Sequence, residues 1–359
     1  MFFFVLGTKA ELIKTAPLMK EFNKNKLEYC FVHTGHHKID ELCEQFKIPL
    51  PDISLFKAPK TSSRFFLKTK KAIKWGILLS YKLKKLFSNC GKKDLVIVHG
   101  DTITTGVTSF VARTSGLKVA HIEAGLRSHD FFEPFPEEFM RVVADHFSVY
   151  LFAVSKTAAD NLRQEGIKGK VFLTGNTIAD SVKMSLKMGR KSEWKNHVIV
   201  NIHRNENLQS KSRMKRIVEI IKNISLEIHW PIHDNTKYAL KKYGLWDELK
   251  KQKNITFSPL MSYFDFLNEM KRSKFIVTDG GSIQEESLYL RKPCMIMRMK
   301  TERVEGLKTG INFLTKLNLE YSKKVIEMLE GGFKIPKFTN PYGEPGVSEK
   351  IVKIIEALT

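Results

Sequence analysis

Short apolar runs alternate with helical segments along almost the whole chain, and this alternation constrains the fold more than any other feature. Each run is followed by a stretch with helical spacing, such as ELIKTAPLMKEFNK or TAADNLRQEG. A strand-then-helix rhythm predicts a parallel sheet with helices on both faces, so we expect a doubly wound α/β fold. In the first half the runs are FFFVL (2–6), YCFVHT (29–34), LVIVHG (95–100), KVAHIEA (118–124), VYLFAVS (149–155) and KVFLTG (170–175).

The rhythm restarts after a lysine-rich, helical segment at residues 177–196. Because 359 residues exceed a typical single core, we expect two Rossmann-like domains that face a cleft, residues 1–176 and 177–343. A final amphipathic helix, within residues 344–359, is predicted to pack back on the first domain. The second set of runs is HVIVNIH (197–203), EIHWPIH (227–233), ITFSPL (255–260), KFIVTDG (274–280) and PCMIMRM (293–299).

Composition excludes several classes of protein. No stretch approaches the roughly 18 uncharged apolar residues of a membrane span, and the opening MFFFVLG lacks the basic region of a signal peptide. The four cysteines form no CxxC pair and have no histidine spacing suited to zinc. We therefore expect a cytoplasmic protein with reduced thiols and no metal site.

The net charge of +22 is concentrated in a basic segment, residues 57–93, which contains twelve Lys or Arg and no acid. Three interpretations stay open: a solvated helix face, a helix lying on anionic lipid, and a nucleic-acid patch. No zinc-finger, RRM or KH signature supports the last, so we expect no nucleic-acid partner. Peripheral association with an anionic membrane remains a hypothesis for this segment.

Polar residues follow nearly every predicted strand. Ligands of open α/β sheets bind at the carboxyl ends of the strands, so these residues are candidates for one site. Asp101 by itself fits a helix N-cap equally well, and Glu137 with Glu138 would favour a helix N-terminus in any case. The first strand–helix junction, GTKAELIK, lacks the GxGxxG fingerprint, and no Walker lysine occurs, so we expect no cofactor. The junction residues are Asp101, Glu123, Glu137, Glu138, His203, Arg204, Asp279–Ser282 and Thr301–Arg303.

Nine motifs in order make the chain recognisable: GTKAELIK, HTGHH, VHGDTITT, HIEAGLRS, PFPEEFMR, TGNTIAD, NIHRNEN, TDGGSIQEES and TERVEGLKTG. Together they resemble the UDP-N-acetylglucosamine 2-epimerase family over nearly the whole chain, and HRNEN resembles its non-hydrolysing branch. The resemblance implies a GT-B-like fold and inversion at C2 of a UDP-2-acetamido sugar by elimination and re-addition of UDP. We expect a homodimer that makes precursors of surface polysaccharide.

The resemblance also assigns roles by motif position. Asp101, Glu123 and Glu137 match the acid/base carboxylates, and His203 matches a catalytic residue beside the diphosphate. Phe266 matches the uracil pocket, although its helix is apolar and a plain core position is an open alternative. His233 is a weaker candidate for the cleft. The residues implied to bind substrate or UDP are Lys9, Lys14, Phe266, Gly281, Ser282, Glu286 and Arg303.

Departures from the family motifs put the substrate in doubt. Lys9 and Ala10 replace the usual Arg-Pro, and Met140 replaces an amide in the PEE motif. A 2-epimerase of a modified UDP-sugar such as a diacetamido uronate, a hydrolysing 2-epimerase and a non-catalytic sugar-nucleotide binder therefore stay open. Many relatives use glutamines after the second strand to bind a second, activating substrate molecule. Here His36 and Ile39 stand at those positions, and we expect no such activation.

Overall fold

The chain divides into two compact units in the computed structural model, which describes residues 1–57, 69–131, 134–188 and 195–358, for 69–72 as backbone. The first unit contains Met1–Ser181 and Pro341–Thr359, and the second contains Val182–Asn340. The basic segment is therefore described only in part, since residues 58–68 lie outside the described ranges.

The first unit is built on one parallel sheet. Its seven strands lie in the order β3-β2-β1-β4-β5-β6-β7 and all its pairings are parallel. The elements are β1 (Phe2–Leu6), α1 (Lys9–Lys24), β2 (Tyr29–His33), α2 (Asp40–Phe46), β3 (Ile53–Ser54), α3 (Thr69–Phe87), β4 (Leu95–His99), α4 (Ile103–Thr114), β5 (Lys118–Ala124), α5 (Glu137–Phe147), β6 (Tyr150–Ala153), α6 (Lys156–Gln164), β7 (Lys170–Leu173) and α16 (Val347–Leu358). Helix α7 (Ile178–Met188) begins in this unit and continues into the second.

The second unit repeats this design with six parallel strands, in the order β10-β9-β8-β11-β12-β13. Two Rossmann-like α/β units are thus confirmed. The elements are β8 (Val198–Asn201), α8 (Asn205–Leu208), α9 (Lys211–Ile221), β9 (Ile228–Pro231), α10 (Asp234–Lys242), α11 (Trp246–Lys250), β10 (Ile255–Ser258), α12 (Tyr263–Arg272), β11 (Phe275–Thr278), α13 (Gly281–Leu290), β12 (Cys294–Ile296), α14 (Val304–Leu307), β13 (Asn312–Leu314) and α15 (Leu319–Glu330).

The central strands are apolar along their length because helices cover both faces of each sheet. All five residues of β4 and all four of β8 and of β11 are buried. In the first unit Phe22 of α1 packs edge-on against Phe4 of β1, with ring centroids 5.0 Å apart. Helix α16 packs on α1, and Asp180 accepts a 2.7 Å hydrogen bond from the backbone N–H of Ser348 at the start of α16.

Two strands, β3 and β13, are not predicted by the sequence pattern. They contain two and three residues and lie at one edge of each sheet, so neither produces an apolar run long enough to be recognised.

Helix α3 contains the described part of the basic segment, and its outer face is unusual. Ile77 and Tyr81 are 66% and 70% exposed on this face, while Leu79 and Leu83 are buried in the core. In the described part of the chain, no helix is both long and apolar enough to cross a membrane.

Each sheet has a switch point, where the strand order reverses and the loops after two neighbouring strands diverge. In the first unit it lies between β1 and β4, and in the second between β8 and β11. Doubly wound sheets bind ligands in the crevice at this point, beyond the carboxyl ends of the strands. Both candidate sites described below lie there.

Candidate active site

Glu123 lies at the end of β5 in a strained backbone conformation. Its φ is +72°, and the pairing of β5 with β6 shifts register between Ile122 and Ala124, which makes Glu123 a bulge residue. Its carboxylate pairs closely with the ammonium group of Lys14 and accepts a 3.0 Å hydrogen bond from Nδ2 of Asn176. The bulge thus turns a strand residue toward a helix-α1 lysine, as expected where backbone strain serves a site.

His99, at the end of β4, lies beside this ion pair. Its Nε2 is 3.8 Å from Oε2 of Glu123. Burial lowers the pKa of His99 to about 4, with Lys14 acting in the same direction and Glu123 against it. The ring is therefore neutral at physiological pH. In the sequence, the motif HGD points to its aspartate and gives no separate signal for His99.

Asp101 is not the N-cap of α4, since that position belongs to Thr102, whose hydroxyl accepts from the N–H of Thr105. Asp101 instead pairs closely with Nη2 of Arg141 in α5. The Nη1 of Arg141 is 3.0 Å from Oε2 of Glu138, one turn earlier. The open choice between cap and site residue is thereby decided against the cap.

Glu137 begins α5, next to Glu138 and four residues before Arg141. The side chain of Glu138 points inward and accepts from the backbone N–H of Ser128 at 2.9 Å. The start of α5 therefore gathers two predicted carboxylates and one unpredicted arginine. Spacings of three and four residues on one helix indicate a shared face, and that signal was available in PEEFMR.

Glu11 ties the two loops of the first switch point together. One of its oxygens accepts from the backbone N–H groups of Gly7 and Thr8, and the other from the hydroxyls of Thr102 and Thr105. Burial raises the pKa of Glu11, although these hydrogen bonds partly offset the rise. Lys9, the first residue of α1, is exposed.

In the second unit, Asp279 holds the loop that carries His203. Its buried carboxylate accepts from the backbone N–H of His203 at 2.9 Å and of Arg204 at 3.0 Å, and from Nδ2 of Asn207 at 2.9 Å. Three donors on one carboxylate tie the end of β11 to the loop after β8. Asp279 is therefore an organiser of this switch point.

His203 is held in one tautomer. Asn201 lies between two rings, with Oδ1 2.7 Å from Nδ1 of His203 and Nδ2 3.4 Å from Nε2 of His233. Since an amide oxygen only accepts, Nδ1 of His203 carries the proton and Nε2 keeps its lone pair. Burial and the neighbouring Arg204 lower the pKa of His203 to about 4. The ring centroids of His203 and His233 are 4.8 Å apart, so His233 does reach this site.

Gly281 begins α13 where the helix N-terminus meets a guanidinium group. The N-cap residue Gly280 has no side chain to cap the helix, and a Cβ on Gly281 would lie 2.8 Å from Nη1 of Arg303. Arg303 is itself held by Glu285, at 2.9 Å, and by Glu302. Ser282 follows in the first turn and is half-buried. Backbone N–H groups beside an arginine form a ready anion-binding site.

Arg298 is a buried cation that the sequence motifs do not indicate. It follows β12 at the same edge of the sheet, with Nη1 3.0 Å from Oε2 of Glu302. Within the described ranges its Nη2 has no hydrogen-bond partner. Burial lowers the pKa of Arg298, and Arg204 and Arg303 act in the same direction. A buried guanidinium with an unused donor favours an anionic ligand.

Glu286 lies further along α13 than Gly281 and Ser282, and Phe266 belongs to α12. Oε1 of Glu286 accepts a 3.0 Å hydrogen bond from the hydroxyl of Tyr263, a residue that was not predicted. Phe266 is half-buried, whereas its neighbour Phe264 belongs to the core. Across the described ranges, no group of three or more His, Cys, Asp or Glu side chains is arranged to hold a metal ion.

Comparison with known proteins identifies the family of this chain. A family model described as UDP-N-acetylglucosamine 2-epimerase matches residues 20–356. The chain belongs to this family. It is 35% identical over 371 residues to the UDP-N-acetylglucosamine 2-epimerase of Methanocaldococcus jannaschii, covering 98% of this chain and 97% of that protein.

Solved structures of 2-epimerases share the fold. The crystal structure of the M. jannaschii UDP-GlcNAc 2-epimerase in complex with UDP-GlcNAc and UDP has a TM-score of 0.89 at 34% identity, covering 99% of both chains. The 2-epimerase from Neisseria meningitidis bound to UDP-GlcNAc has a TM-score of 0.86 at 26% identity, again over 99% of both chains. The GT-B-like class of this 2-epimerase family member is therefore confirmed.

Proposed function

We propose that this chain is a UDP-N-acetylglucosamine 2-epimerase that interconverts UDP-N-acetylglucosamine and UDP-N-acetylmannosamine. The contrast between the two switch points supports this best: one presents ion-paired carboxylates, and the other presents arginines and a helix N-terminus. Two solved relatives are 2-epimerases bound to UDP-GlcNAc, one of them also to UDP, and this supports the same substrate. The product would serve as a precursor of surface polysaccharide.

The proposed reaction has two steps. In the first, a base removes the proton from C2, the C2–H electron pair forms the C1–C2 double bond, and UDP leaves C1 with the former C1–O pair. In the second, the UDP oxygen attacks C1 and an acid delivers a proton to the opposite face of C2. No carbonyl group acidifies C2, so proton removal and stabilisation of the departing UDP must act together.

The first unit would supply the proton-transfer groups. Asp101 and Glu123 each have a cationic partner, Arg141 and Lys14, which holds the carboxylate in place for proton transfer. Glu137 begins α5, the helix that carries Arg141, the partner of Asp101. It would act as the third carboxylate. Lys9 and Lys14 would support the negative charge of the substrate.

The second unit would hold the UDP. Gly281 and Ser282 would donate backbone N–H groups to the diphosphate, and Arg303 and Arg298 would neutralise its charge. His203 in its Nδ1–H form would gain a proton at Nε2 and then donate to a phosphate oxygen. Glu286 would accept from the ribose hydroxyls, and Phe266 would line the uracil pocket.

Two parallel incubations, one with UDP-N-acetylglucosamine and one with a UDP-diacetamido uronate, separate this proposal from its alternatives. UDP-N-acetylglucosamine is incubated with the protein in deuterated water, and products are followed by anion-exchange chromatography and proton NMR. We expect UDP-N-acetylmannosamine to appear and deuterium to enter C2 of both sugars. Release of free N-acetylmannosamine and UDP would instead indicate the hydrolysing reaction. Turnover of a UDP-diacetamido uronate alone would indicate the modified-sugar epimerase.

The homodimer and the membrane contact through residues 57–93 stay predictions. The exposed Ile77 and Tyr81 of α3 make this helix face the place to test both. Sedimentation velocity measures self-association, and flotation with phosphatidylglycerol vesicles measures lipid binding. The double variant Ile77→Asp, Tyr81→Asp should abolish whichever association uses the face, with Tyr238→Asp, an exposed residue of the second unit, as the matched control.

A further inference from the structure

A buried chain of charged side chains lies beneath the carboxylates of the first unit. It consists of His121 of β5, Asp145 of α5, Arg127 and Glu165. His121 and Asp145 are fully buried, and Arg127 is nearly so. None of these residues has a part in the reaction described above, and burying several charges away from water is costly unless they are closely paired.

His121 contacts one acceptor at each ring nitrogen. Its Nε2 is 2.8 Å from the backbone carbonyl oxygen of Gly100, and its Nδ1 is 2.7 Å from Oδ1 of Asp145. A carbonyl oxygen only accepts, and so does an ionised carboxylate. If Asp145 is ionised, both nitrogens of His121 must donate, and the ring is an imidazolium.

Asp145 has the surroundings of an ionised carboxylate. Its second oxygen, Oδ2, is 2.7 Å from Nη1 of Arg127 and accepts a 3.3 Å hydrogen bond from the backbone N–H of Gly125. Burial alone would raise the pKa of Asp145, but the permanently charged guanidinium of Arg127 acts against burial and favours the ionised carboxylate. Glu165 in turn binds Arg127 through two parallel hydrogen bonds of 2.8 and 2.6 Å.

His121 contacts the backbone carbonyl of Gly100, and Asp145 contacts the backbone N–H of Gly125. Both glycines lie next to the proposed catalytic carboxylates. Gly100, with φ +71°, immediately precedes Asp101, and Gly125 follows the bulge that presents Glu123. The N–H of Gly100 also donates to the carbonyl of Ile122 in β5. One carboxylate, Asp145, is therefore linked to the Asp101 turn through His121 and to the Glu123 bulge directly.

Helix α5 closes the arrangement. Besides Asp145 it carries Arg141, which pairs with Asp101 itself. A shift of this helix would therefore move the Asp101 turn and the Glu123 bulge together. Errors of about 1 Å in the position of a reacting group cost on the order of 100-fold in rate.

We propose that His121 is a positioning residue that is held as an imidazolium and, through Asp145, sets the Asp101 turn and the Glu123 bulge in one fixed geometry. A neutral ring has one N–H and can satisfy only Gly100 or Asp145. Only the protonated ring can donate to both Gly100 and Asp145, so this positioning role requires the positive charge. The kinetic consequence rests on the proposed epimerase function, whereas the protonation state does not.

The protonation state is tested by NMR on the wild-type protein with ¹⁵N-labelled histidine at pH 8. We expect the His121 ring to show two protonated nitrogens with similar chemical shifts. One protonated and one bare nitrogen would overturn the proposal. The His121→Gln variant assigns the resonances, and Asp145→Asn provides a second check. An amide at 145 can donate to Nδ1, so His121 should then become neutral while its bond to Gly100 remains.

The positioning role is tested by kinetics with UDP-N-acetylglucosamine. A glutamine amide has one donor end, so His121→Gln keeps at most one of the two hydrogen bonds. We expect its kcat to fall about 10- to 100-fold, because a displacement of about 1 Å at a reacting group costs on the order of 100-fold in rate. KM and UDP affinity should change less than threefold. The matched control is His146→Gln, an exposed histidine next to Asp145 on α5, which should leave kcat unchanged.

Two results would overturn the positioning role. One is a His121→Gln kcat equal to wild type. The other is a fall in kcat that matches the loss of folded protein, measured by thermal unfolding, since that indicates a merely structural histidine. If wild-type protein epimerises no UDP-sugar, the proposed function fails, and the NMR result at pH 8 still decides the protonation state.

Discussion

The two units have the same kind of sheet and the same kind of switch point, yet the chemistry at the two points is opposite. In the first unit Glu123 and Asp101 already have cationic partners within the unit. In the second, the loop after β8 is tied down by Asp279, while Arg298 retains an unused donor among the described residues and Gly280 leaves the start of α13 uncapped. The first point is internally neutralised, and the second has an excess of donors.

This difference teaches that the switch point specifies where a ligand binds and not what happens to it. The strand order fixes which loops diverge, and a few residues at those loops fix the sign of the charge. Paired carboxylates suit proton transfer, because their geometry is set before substrate arrives. Unpaired N–H donors suit the binding of an anion, because they gain partners only when it arrives.

The largest expected effect follows from removing a carboxylate of the first unit. Asp101→Asn, Glu123→Gln and Glu137→Gln should each lower kcat by about 10²- to 10⁴-fold, the usual contribution of an acid or base. UDP affinity, measured by calorimetric titration, should stay within a few-fold of wild type. The matched control is Glu28→Gln, which changes an exposed carboxylate and should have no effect. Near-normal kcat in any of the three removes that residue from the mechanism.

The second unit should respond in the opposite way. His203→Ala, Arg303→Ala and Gly281→Ala should weaken UDP binding about 10- to 100-fold, because charge-assisted hydrogen bonds are worth roughly 1.5–3 kcal/mol. Gly281→Ala acts indirectly, since its Cβ would lie 2.8 Å from Nη1 of Arg303 and displace the guanidinium.

The glycine substitution has a matched control. A Cβ on Gly76, within α3, would meet no atom within 4 Å, so Gly76→Ala should leave UDP affinity unchanged. Calorimetric titration with UDP measures all four variants. Unchanged affinity in both His203→Ala and Arg303→Ala would contradict the assignment of diphosphate binding to the second unit.

A smaller effect concerns the protonation of His203. Its pKa is lowered to about 4 in the ligand-free protein, and the negative charge of a bound diphosphate should raise it. Between those two values UDP binding should therefore take up a proton, and affinity should fall as the pH rises through the pKa of the complex. Because UDP itself titrates, wild type is compared with His203→Asn. Calorimetry at pH 6 in buffers of different ionisation enthalpy should give greater proton uptake for wild type; equal uptake would exclude this role.

The sequence predicted the α/β fold and the strand ends well, for a physical reason. Central parallel strands are buried on both faces, so they appear as continuous apolar runs, and their carboxyl ends necessarily share one edge. The edge strands β3 and β13 are too short to produce such a run. The prediction therefore succeeded where burial is complete and failed at the margins of the sheets.

The partners of the predicted residues were harder to foresee. Arg141 meets Asp101 across 40 positions of the chain, and His121 reaches Gly100 across 21, so neither contact has a local signature. The φ of +72° at Glu123 is also invisible in the sequence, because most residues with positive φ are glycines. Residue types at strand ends indicate the chemistry, whereas the tertiary contacts determine its geometry.

The smallest expected effect is an absence, and it tests whether the first unit binds only the reacting sugar. The family resemblance implies a second, activating substrate molecule bound through glutamines at the positions of His36 and Ile39. Here Ile39 is 2% exposed and has no polar side-chain atom, and His36 packs against Trp75 with ring centroids 4.0 Å apart and the rings tilted by 40°. Burial lowers the pKa of His36 to about 3, so its ring is neutral. A polar sugar packed against these side chains would leave hydrogen-bonding groups unpaired.

The reverse reaction from UDP-N-acetylmannosamine alone should therefore start linearly, as followed by continuous NMR. A lag that traces of UDP-N-acetylglucosamine abolish would mean that the first unit has a second substrate site after all. The variant Ile39→Gln, which introduces the amide, should leave the progress curve linear as long as His36 remains packed against Trp75.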